Sequence, residues 1–154
     1  MSVNILIPYN FSPNDEKAVD FVGRRYSERH GVKVTLFHAF TPVPEVDIRD
    51  TQIMKQVVHN ASLLKLKQDD RQRALEEVRH QLMNHGIAGH HIHCVFAPVK
   101  TDVATDIINL WKEGRFDVVV LNRNPGNIVN FFSRSISKRI VRHVNGGIGV
   151  HIVN

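Results

Sequence analysis

The 154-residue sequence predicts an α/β protein, in which a five-stranded, mostly parallel sheet carries helices on both faces. Short runs rich in Val, Ile, Leu and Phe alternate along the chain with stretches whose apolar residues recur at helical spacing. This alternation favours right-handed helical crossovers, because a parallel neighbour can only be reached by a connection that crosses the sheet. Neither an internal repeat nor a Ser/Gly-rich linker divides the chain, so we expect a single Rossmann-like domain over residues 1–154.

The first part of the chain predicts a strand, a helix and a second strand. Val3 to Ile7 is an unbroken apolar run typical of a buried strand. Ser12 is expected to cap the helix that follows, because its hydroxyl accepts a free backbone N–H while Pro13 needs no partner at the first helical position. Gly31, after His30, favours the end of that helix, and Val32 to Phe40 predicts the second strand. The apolar face of the helix consists of Ala18, Val22 and Tyr26.

Residues 45–88 show helical spacing but leave the number of helices open. A first apolar stripe ends at Leu64, the stretch from Lys65 to Arg73 is almost wholly polar, and a second stripe ends shortly before Gly86. One long helix and two helices with a break between them both fit this pattern. The first stripe consists of Ile53, Met54, Val57, Val58, Ala61 and Leu64, and the second of Leu75, Val78 and Leu82.

The last part of the chain predicts three more strands and two more helices. Ile92 to Phe96 is strand-like, Thr101 is expected to cap the next helix, and Gly114 to end it. A fourth strand runs from Phe116 to Leu121, and residues 122–127 have the composition of a loop. The two helical stripes are Val103, Ala104, Ile107, Ile108 and Trp111, and then Ile136, Ile140, Val141 and Val144.

Composition excludes several broad classes of protein. The formal net charge is 20 − 15 = +5, which permits contact with anions but is modest for a nucleic-acid binder. No apolar run approaches the roughly 20 residues that a transmembrane helix needs, so no membrane partner is expected. Cys94 is the single cysteine, so an internal disulfide is impossible, and the first residues lack the basic start of a signal peptide. These features predict a cytoplasmic protein.

Residue patterns that would support catalysis or metal binding are missing from the sequence. His90, His91 and His93 attract attention as metal ligands, but two histidines on one face of a strand make a poor zinc site without a third ligand. The serines lack a nucleophile elbow and a base at motif spacing, and the chain has neither a Walker A loop nor a dinucleotide-binding fingerprint. We therefore predict no catalytic residue, no bound metal and no enzymatic activity.

Four segments, in order and at matching spacing, resemble the universal stress protein family. The first is Ile-Leu-Ile-Pro-Tyr-Asn-Phe-Ser at residues 5–12, close to the family's apolar-apolar-x-Pro-x-Asp-x-Ser opening. The second, at residues 34–39, resembles the family's second strand, which often ends Leu-x-His-Val. Residues 116–120 and 135–143 resemble the strand before its nucleotide loop and its last helix. The resemblance covers essentially the whole chain and implies the family's fold, which is like that of adenine nucleotide alpha hydrolases.

The resemblance also implies a nucleotide pocket whose phosphate cradle is degenerate. ATP-binding members carry Gly, two residues, Gly, nine residues, Gly and then Ser or Thr, because glycines let the backbone approach the phosphates at a helix N-terminus. Aligned on Ser135, these glycine positions fall on Leu121, Asn124 and Arg134, and the family's acidic residue after the first strand is Asn10. The remaining pocket positions are Pro8, Ala39, Val120, Ile136 and Ser137. No cofactor is therefore expected, with ATP as the alternative.

The final strand and the last helix indicate what the chain contacts. Ile148 to Val153 is short and alternating, and the family topology places it at a sheet edge, where pairing with a second copy satisfies free backbone groups. We therefore expect a homodimer. Arg134, Lys138 and Arg142 share one helix face, which is a solvated surface or a weak site for an anion or small ligand. No nucleic-acid reading module accompanies them, so no specific nucleic acid is expected.

Three functions remain open at this point. The first is a non-enzymatic stress-response protein that acts through dimerisation and protein or small-ligand contacts and does not bind ATP. The second is a nucleotide-binding member of the family with an atypical phosphate loop, in which Arg134 replaces backbone amides. The third is a basic binder of nucleic acid or other anions.

Overall fold

The structure is a computed structural model, and it describes residues 2–11, 15–42, 51–122 and 149–153. The five strands are β1 (Val3–Pro8), β2 (Val32–Phe40), β3 (Ile92–Pro98), β4 (Val118–Asn122) and β5 (Gly149–Val153). The helices are α1 (Asp15–Tyr26), α2 (Thr51–Asn84) and α3 (Val103–Gly114), and a short 3₁₀ turn covers Gly89–His91. Ser12, Pro13 and the predicted last helix with its apolar stripe lie outside the described residues.

The strands form one sheet in the order β3-β2-β1-β4-β5, and every described pair is parallel. The predicted five-stranded parallel sheet is therefore confirmed. From β1 the chain moves outward to β2 and β3, and then returns to the other side of β1 to form β4. This reversal places the topological switch point between β1 and β4, where open α/β sheets carry their ligand sites. The final strand β5 lies at a sheet edge, as predicted.

One face of the sheet is covered by α1 and α2. Their buried residues form a core with the side chains that β1, β2 and β4 direct to that face, among them Ile5, Leu36 and Val120. The helix residues in this core follow the predicted stripes: Ala18, Val22 and Tyr26 from α1, and Leu75, Val78 and Leu82 from α2. Burial of these apolar side chains is the main favourable contribution to folding here, at about 1.5–3 kcal/mol for a fully buried Leu, Ile or Val.

The opposite face carries α3. Ile107 and Ile108 pack there against the alternate strand residues, including Leu6, Val119 and Leu121. The central strands are apolar at successive positions and do not alternate with polar residues. Such a pattern predicts that both faces of the sheet are buried, each in its own core. Helices on both faces are therefore confirmed. None of the described helices combines enough length and apolar character to cross a membrane.

Three local predictions need correction or completion. The N-cap of α3 is Asp102 and not Thr101, because the Asp102 carboxylate accepts the Thr105 backbone N–H at 2.9 Å. Helix α1 ends at Tyr26, four residues before His30, while Gly31 has a φ of 78° and turns the chain into β2. Residues 51–84 form one helix of 34 residues, which settles the choice between one helix and two.

Candidate functional site

The described candidate residues meet at the carboxyl edge of the sheet, beside the switch point. Pro8 ends β1, Asn10 follows it, and Ala39 lies near the end of β2. Val120 and Leu121 lie near the end of β4, which pairs with β1 in parallel. The structure thus brings these five positions to one end of three neighbouring strands. The other five candidates lie outside the described residues: Asn124, Arg134, Ser135, Ile136 and Ser137.

Leu121 occupies the position that aligns with the first glycine of the phosphate cradle. Its side chain is fully buried and belongs to the same core as Val119, Ile107 and Ile108. The residue is therefore anchored by apolar contacts under α3. Removing a buried leucine side chain typically costs about 2–5 kcal/mol, so this position has an essential packing role in the present fold.

The pocket positions Val120 and Ala39 lie on opposite faces of the sheet. Val120 packs with the α1 and α2 core, whereas Ala39 packs with the α3 core. Consecutive strand residues point to alternate faces, so Val120 and Leu121 cannot both face one ligand with their side chains. A ligand on the face of the sheet where Ala39 lies could therefore contact the backbone of Val120 but not its side chain.

Asn10 replaces the acid of the family motif, and a nearby acid from α1 fixes its backbone. The Asn10 N–H donates to Asp15 Oδ2 at 2.8 Å, and Asp15 is only 1% exposed. Tyr9 N–H donates to the Phe37 carbonyl at 2.7 Å, so β1 and the loop after it are held from two sides. Sequence reasoning did not single out Asp15 as a site residue, because the contact of its carboxylate with the Asn10 N–H depends on tertiary structure.

His38 is a second residue that sequence reasoning did not single out. Its ring is 2% exposed, and Nδ1 lies 2.8 Å from the Tyr9 carbonyl. Because a carbonyl can only accept, Nδ1 carries the proton, and Nε2 of the neutral ring is a bare acceptor. Nε2 is buried and has no hydrogen-bond partner among the described residues. Burial lowers the pKa of His38 below 6.5, opposed by the Tyr9 hydrogen bond and assisted by the charge of Arg71.

Aromatic rings surround His38 at this edge of the sheet. The Phe11 ring meets the imidazole edge-on, with centroids 4.8 Å apart, and the Phe96 ring stacks on it at 5.3 Å. Tyr9 packs edge-on against Phe11 at 5.0 Å, and the Arg71 guanidinium lies 5.9 Å from the centre of the Phe11 ring. We call this set the aromatic cluster: Tyr9, Phe11, His38, Phe40 and Phe96.

Phe11 has an unusual backbone conformation for a bulky residue. Its φ is 60°, in the left-handed region that glycine tolerates and that costs other residues about 1–2 kcal/mol. Backbone strain of this kind persists only where neighbouring contacts impose it, and it concentrates at functional sites. The contacts that offset it here are the ring contacts with Tyr9 and His38.

The titratable groups of the cluster are uncharged at neutral pH. Burial, with smaller contributions from Asp15 and Glu16, raises the pKa of Tyr9 to about 12, so its phenol stays protonated. His38 is neutral because its pKa is lowered. Neither group is paired with a nucleophile in the part of the chain that the structure describes. The arrangement can therefore hold a planar or uncharged group, and it offers no acid–base chemistry poised near pH 7.

The histidine group and Cys94 lie elsewhere in the molecule. His90 and His91 belong to the 3₁₀ turn at the amino end of β3, with ring centroids 4.1 Å apart, and His93 is exposed. Across the described ranges, no three His, Cys, Asp or Glu side chains converge on a point. Cys94 packs with the α1 and α2 core, and burial raises the pKa of its thiol to about 12. This placement agrees with its interpretation as a small apolar residue, although Cys94 is half-buried at the margin of the core.

Comparisons with solved structures identify similar folds. A universal stress protein family member from Burkholderia pseudomallei is 17% identical, covers 97% of this chain and 94% of its own, and superposes with a TM-score of 0.65. For the universal stress protein UspA from Lactobacillus plantarum the values are 15%, 99%, 97% and 0.68. At such low identity the likeness shows the fold.

Other similar structures are complexes with nucleotides. The universal stress protein from Archaeoglobus fulgidus in complex with dAMP is 12% identical, covers 100% of this chain and 98% of its own, and has a TM-score of 0.60. A family protein from Arabidopsis thaliana contains AMP, and a further universal stress protein contains cAMP.

No curated relative matches the sequence. The family model described as "Universal stress protein family" matches residues 1–146, and the chain therefore belongs to the universal stress protein family.

Proposed function

We propose that this chain is a non-enzymatic universal stress protein that does not bind ATP in the family manner. In this proposal it acts as a cytoplasmic homodimer through contacts with proteins or a small ligand. The observation that supports it most is Leu121, whose fully buried side chain occupies the first glycine position of the phosphate cradle. A backbone anchored under α3 by that side chain is not free to move towards a triphosphate.

Two further features support the absence of ATP binding. At the acid position, Asn10 provides no charged acceptor, and its backbone N–H is already occupied by Asp15 at 2.8 Å. The sequence also places Asn124 and Arg134 where glycines should allow backbone and phosphate to meet. The positive charge of Arg134 attracts an anion, but it does not replace a shaped set of backbone donors.

Isothermal titration calorimetry with Mg-ATP tests this proposal directly. We expect no saturable binding tighter than roughly 0.1 mM, which corresponds to a binding free energy of about −5.5 kcal/mol. Micromolar affinity, or ATP that survives purification and is seen by mass spectrometry, would overturn the proposal. The constructive variant is Asn124→Gly with Arg134→Gly, which restores two glycines without emptying the core. Adding Leu121→Gly completes the motif but needs a parallel unfolding measurement, because Leu121 is fully buried.

A nucleoside monophosphate binder is the second candidate function. Similar structures hold dAMP, AMP and cAMP, and each of these ligands carries one phosphate. One phosphate needs fewer backbone donors than three, so a degenerate cradle excludes it less strongly. Calorimetry with AMP beside Mg-ATP separates the two functions, because saturable AMP binding without ATP binding supports this second candidate. Binding of neither leaves the first function.

Homodimerisation through β5 is supported by the contrast between the two sheet edges. At the β3 edge, Val99 N–H donates to the Phe40 carbonyl. The backbone N–H and C=O groups of odd-numbered β3 residues therefore point towards β2, and those of even-numbered residues point away from the sheet. The outward carbonyl of Ile92 already accepts from Arg79 Nε at 3.3 Å, and the last outward position is Pro98, which has no N–H. The β3 edge is therefore poorly suited to pair with another strand.

The β5 edge lies beside an open groove of about 590 Å³ on the α1 side. Phe21 and Val153 contribute apolar surface to it, and the charged residues that line it are three cations and one acid: Lys17, Arg24, Arg25 and Asp20. A second copy that paired along β5 would come to lie beside this groove. Light scattering at tens of micromolar is expected to show a dimer, and Val150→Pro should yield monomers because it removes a ladder donor. A monomeric wild type, or a dimer that survives this substitution, would refute β5 pairing.

A further inference from the structure

Phe11 is the neighbour of His38 that can move. The imidazole donates one hydrogen bond within the described residues, from Nδ1 to the Tyr9 carbonyl, and it contacts the rings of Phe96 and Phe11. Phe96 is fixed within β3, whose backbone pairs with β2. Phe11 lies beyond the end of β1, is half-exposed, and has a left-handed backbone. Displacement of Phe11 allows its left-handed backbone to relax, whereas strand pairing holds the backbone of Phe96 in place.

Protonation of His38 creates a buried donor that has no acceptor among the residues that the structure describes. In the neutral ring the unpartnered Nε2 is only a bare lone pair, but in acid it becomes a charged N–H. A buried charged group without a partner is far more costly than a buried neutral one. The Nδ1–H bond to the Tyr9 carbonyl does not compensate, because it exists in both protonation states. Access of Nε2 to water is the least disruptive way to remove this cost.

We propose that Phe11 and His38 form an acid-released latch, in which protonation of His38 displaces the Phe11 ring and opens the loop after β1. Tyr9 stays in place, since its carbonyl bond to Nδ1 becomes charge-assisted. The same loop carries Asn10, so the latch controls one wall of the candidate site. The latch itself is independent of the proposed function. Only an effect of the latch on ligand binding rests on that function.

The groups around the imidazole set the direction of the effect. Helix α2 contributes the positive charge of Arg71 beside Phe11, and β1 contributes the phenol of Tyr9, which is uncharged at neutral pH. From α1, the Asp15 carboxylate accepts the Asn10 N–H at 2.8 Å. The Arg71 cation lowers the pKa of His38 and so opposes closure of the latch over a protonated ring.

Proton linkage predicts how steeply the loop opens. In the opened state His38 is expected to titrate near its ordinary pKa of 6.5, whereas burial lowers the pKa in the closed state. The opened state therefore binds more protons, and its population rises as the pH falls through 6.5, by about tenfold per pH unit while the closed ring stays neutral. Above pH 6.5 His38 is neutral in both states, so its titration no longer changes the population of the opened state.

Amide hydrogen exchange of Asn10 and Phe11 between pH 7.5 and 5.5 tests this linkage in the free protein. After correction for intrinsic exchange, protection of both amides should fall below about pH 6.5, with up to about tenfold loss per unit. His38→Asn keeps a donor near the Nδ1 position but does not titrate, so protection should become independent of pH. His93→Asn, which removes an exposed histidine of β3, should behave like wild type. An unchanged pH dependence in His38→Asn would disprove the latch.

NMR titration of the imidazole gives an independent test. Phe11→Ala removes the ring contact, so the titration midpoint of His38 should rise towards 6.5. Phe40→Ala is the matched control, since Phe40 stacks on Phe96 at 4.6 Å without being a ring neighbour of His38, and it should leave the midpoint unchanged. Equal midpoints in wild type and Phe11→Ala would contradict the proposal. Neither test involves ATP or dimerisation, so a failure of the proposed function leaves both results interpretable.

Discussion

The C-terminal half of α2 packs against the sheet, whereas its N-terminal half extends past it. Leu75 and Leu82 are completely buried in the core beside β2 and β3. In the other half, Val58, Leu63 and Leu66 are 50–57% exposed, and Leu64 is 46% exposed. Both halves carry apolar residues at helical spacing, so the difference lies in what stands opposite them.

One hydrogen bond marks the boundary between the two halves. Gln68 Nε2 donates to the carbonyl of Thr41, which directly follows β2, at 2.8 Å. Residues 51–67 therefore lie beyond the level at which the strands end. The 34 residues of α2 span about 51 Å, whereas the seven residues of β3 span about 23 Å. A helix more than twice as long as its strand cannot be covered by the sheet along its whole length.

This comparison teaches that a hydrophobic stripe reports helical periodicity and not burial. The two halves differ also in charge: residues 51–68 contain Lys55, Lys65 and Lys67 and no acid, whereas Asp69 and Asp70 follow immediately. Side-chain contacts hold the packed half further, since Arg79 donates to the carbonyls of Ile92 and Gly89. Stability should accordingly be divided unequally along a single helix.

Thiol reactivity is expected to show the largest difference. Cys94 lies under the packed half, with Sγ 3.8 Å from the Leu75 carbonyl, and burial raises its pKa from 9.0 to about 12. At pH 8 the reactive thiolate should be roughly a thousandfold scarcer than for an unperturbed thiol. Labelling with a disulfide reagent should be correspondingly slow and should accelerate in denaturant. Rapid labelling of the native protein would show that this half of α2 does not cover the core.

Truncation of one leucine in each half should change stability very differently. Leu75→Ala removes a fully buried side chain and should lower the free energy of unfolding by about 2–5 kcal/mol. Leu64→Ala is the matched control in the same helix, and it should cost no more than about 0.5 kcal/mol because the side chain already contacts water. Urea unfolding followed by circular dichroism measures both. Equal losses would mean that the N-terminal half is covered in solution.

Glycine substitutions should separate local from global stability. Ala74→Gly, in the packed half, should lower the free energy of unfolding by about 1 kcal/mol through its poorer helix propensity. Ala61→Gly has the same intrinsic cost, but we expect it to reduce helical content without moving the global unfolding midpoint. The reason is that residues beyond the sheet can unwind while the core remains folded. A shifted midpoint in Ala61→Gly would show that the two halves unfold together.

The boundary bond should have the smallest effect. Gln68→Ala removes the donor to Thr41 and should cost about 0.5 kcal/mol, since both groups are accessible to water. Amide exchange in residues 61–67 should increase more than exchange around Leu75 if this bond limits fraying. Uniform exchange along α2 in the variant would assign the boundary to other contacts.

The candidate site shows a similar division between what was predictable and what was not. Asn10 and Leu121 both lie at the carboxyl edge of the sheet. This followed from the order of strands and helices, because parallel strands bring their carboxyl ends together. The roles of His38 and Asp15 did not follow. His38 lies within an apolar strand pattern that says nothing about its ring neighbours, and Asp15 reaches back to the loop only in the folded chain.

The sequence by itself determined the element order and the parallel sheet, because periodicity and chain order are local properties that leave few arrangements. The edge position of β5 followed from the family resemblance. Only the tertiary structure decided that α2 is one helix that extends past the sheet and that Leu121 belongs to the α3 core. It also decided that Nε2 of His38 has no partner among the described residues. Each of these depends on residues far apart in the chain. Their relative lengths and the groups that face one another are fixed only when the elements pack.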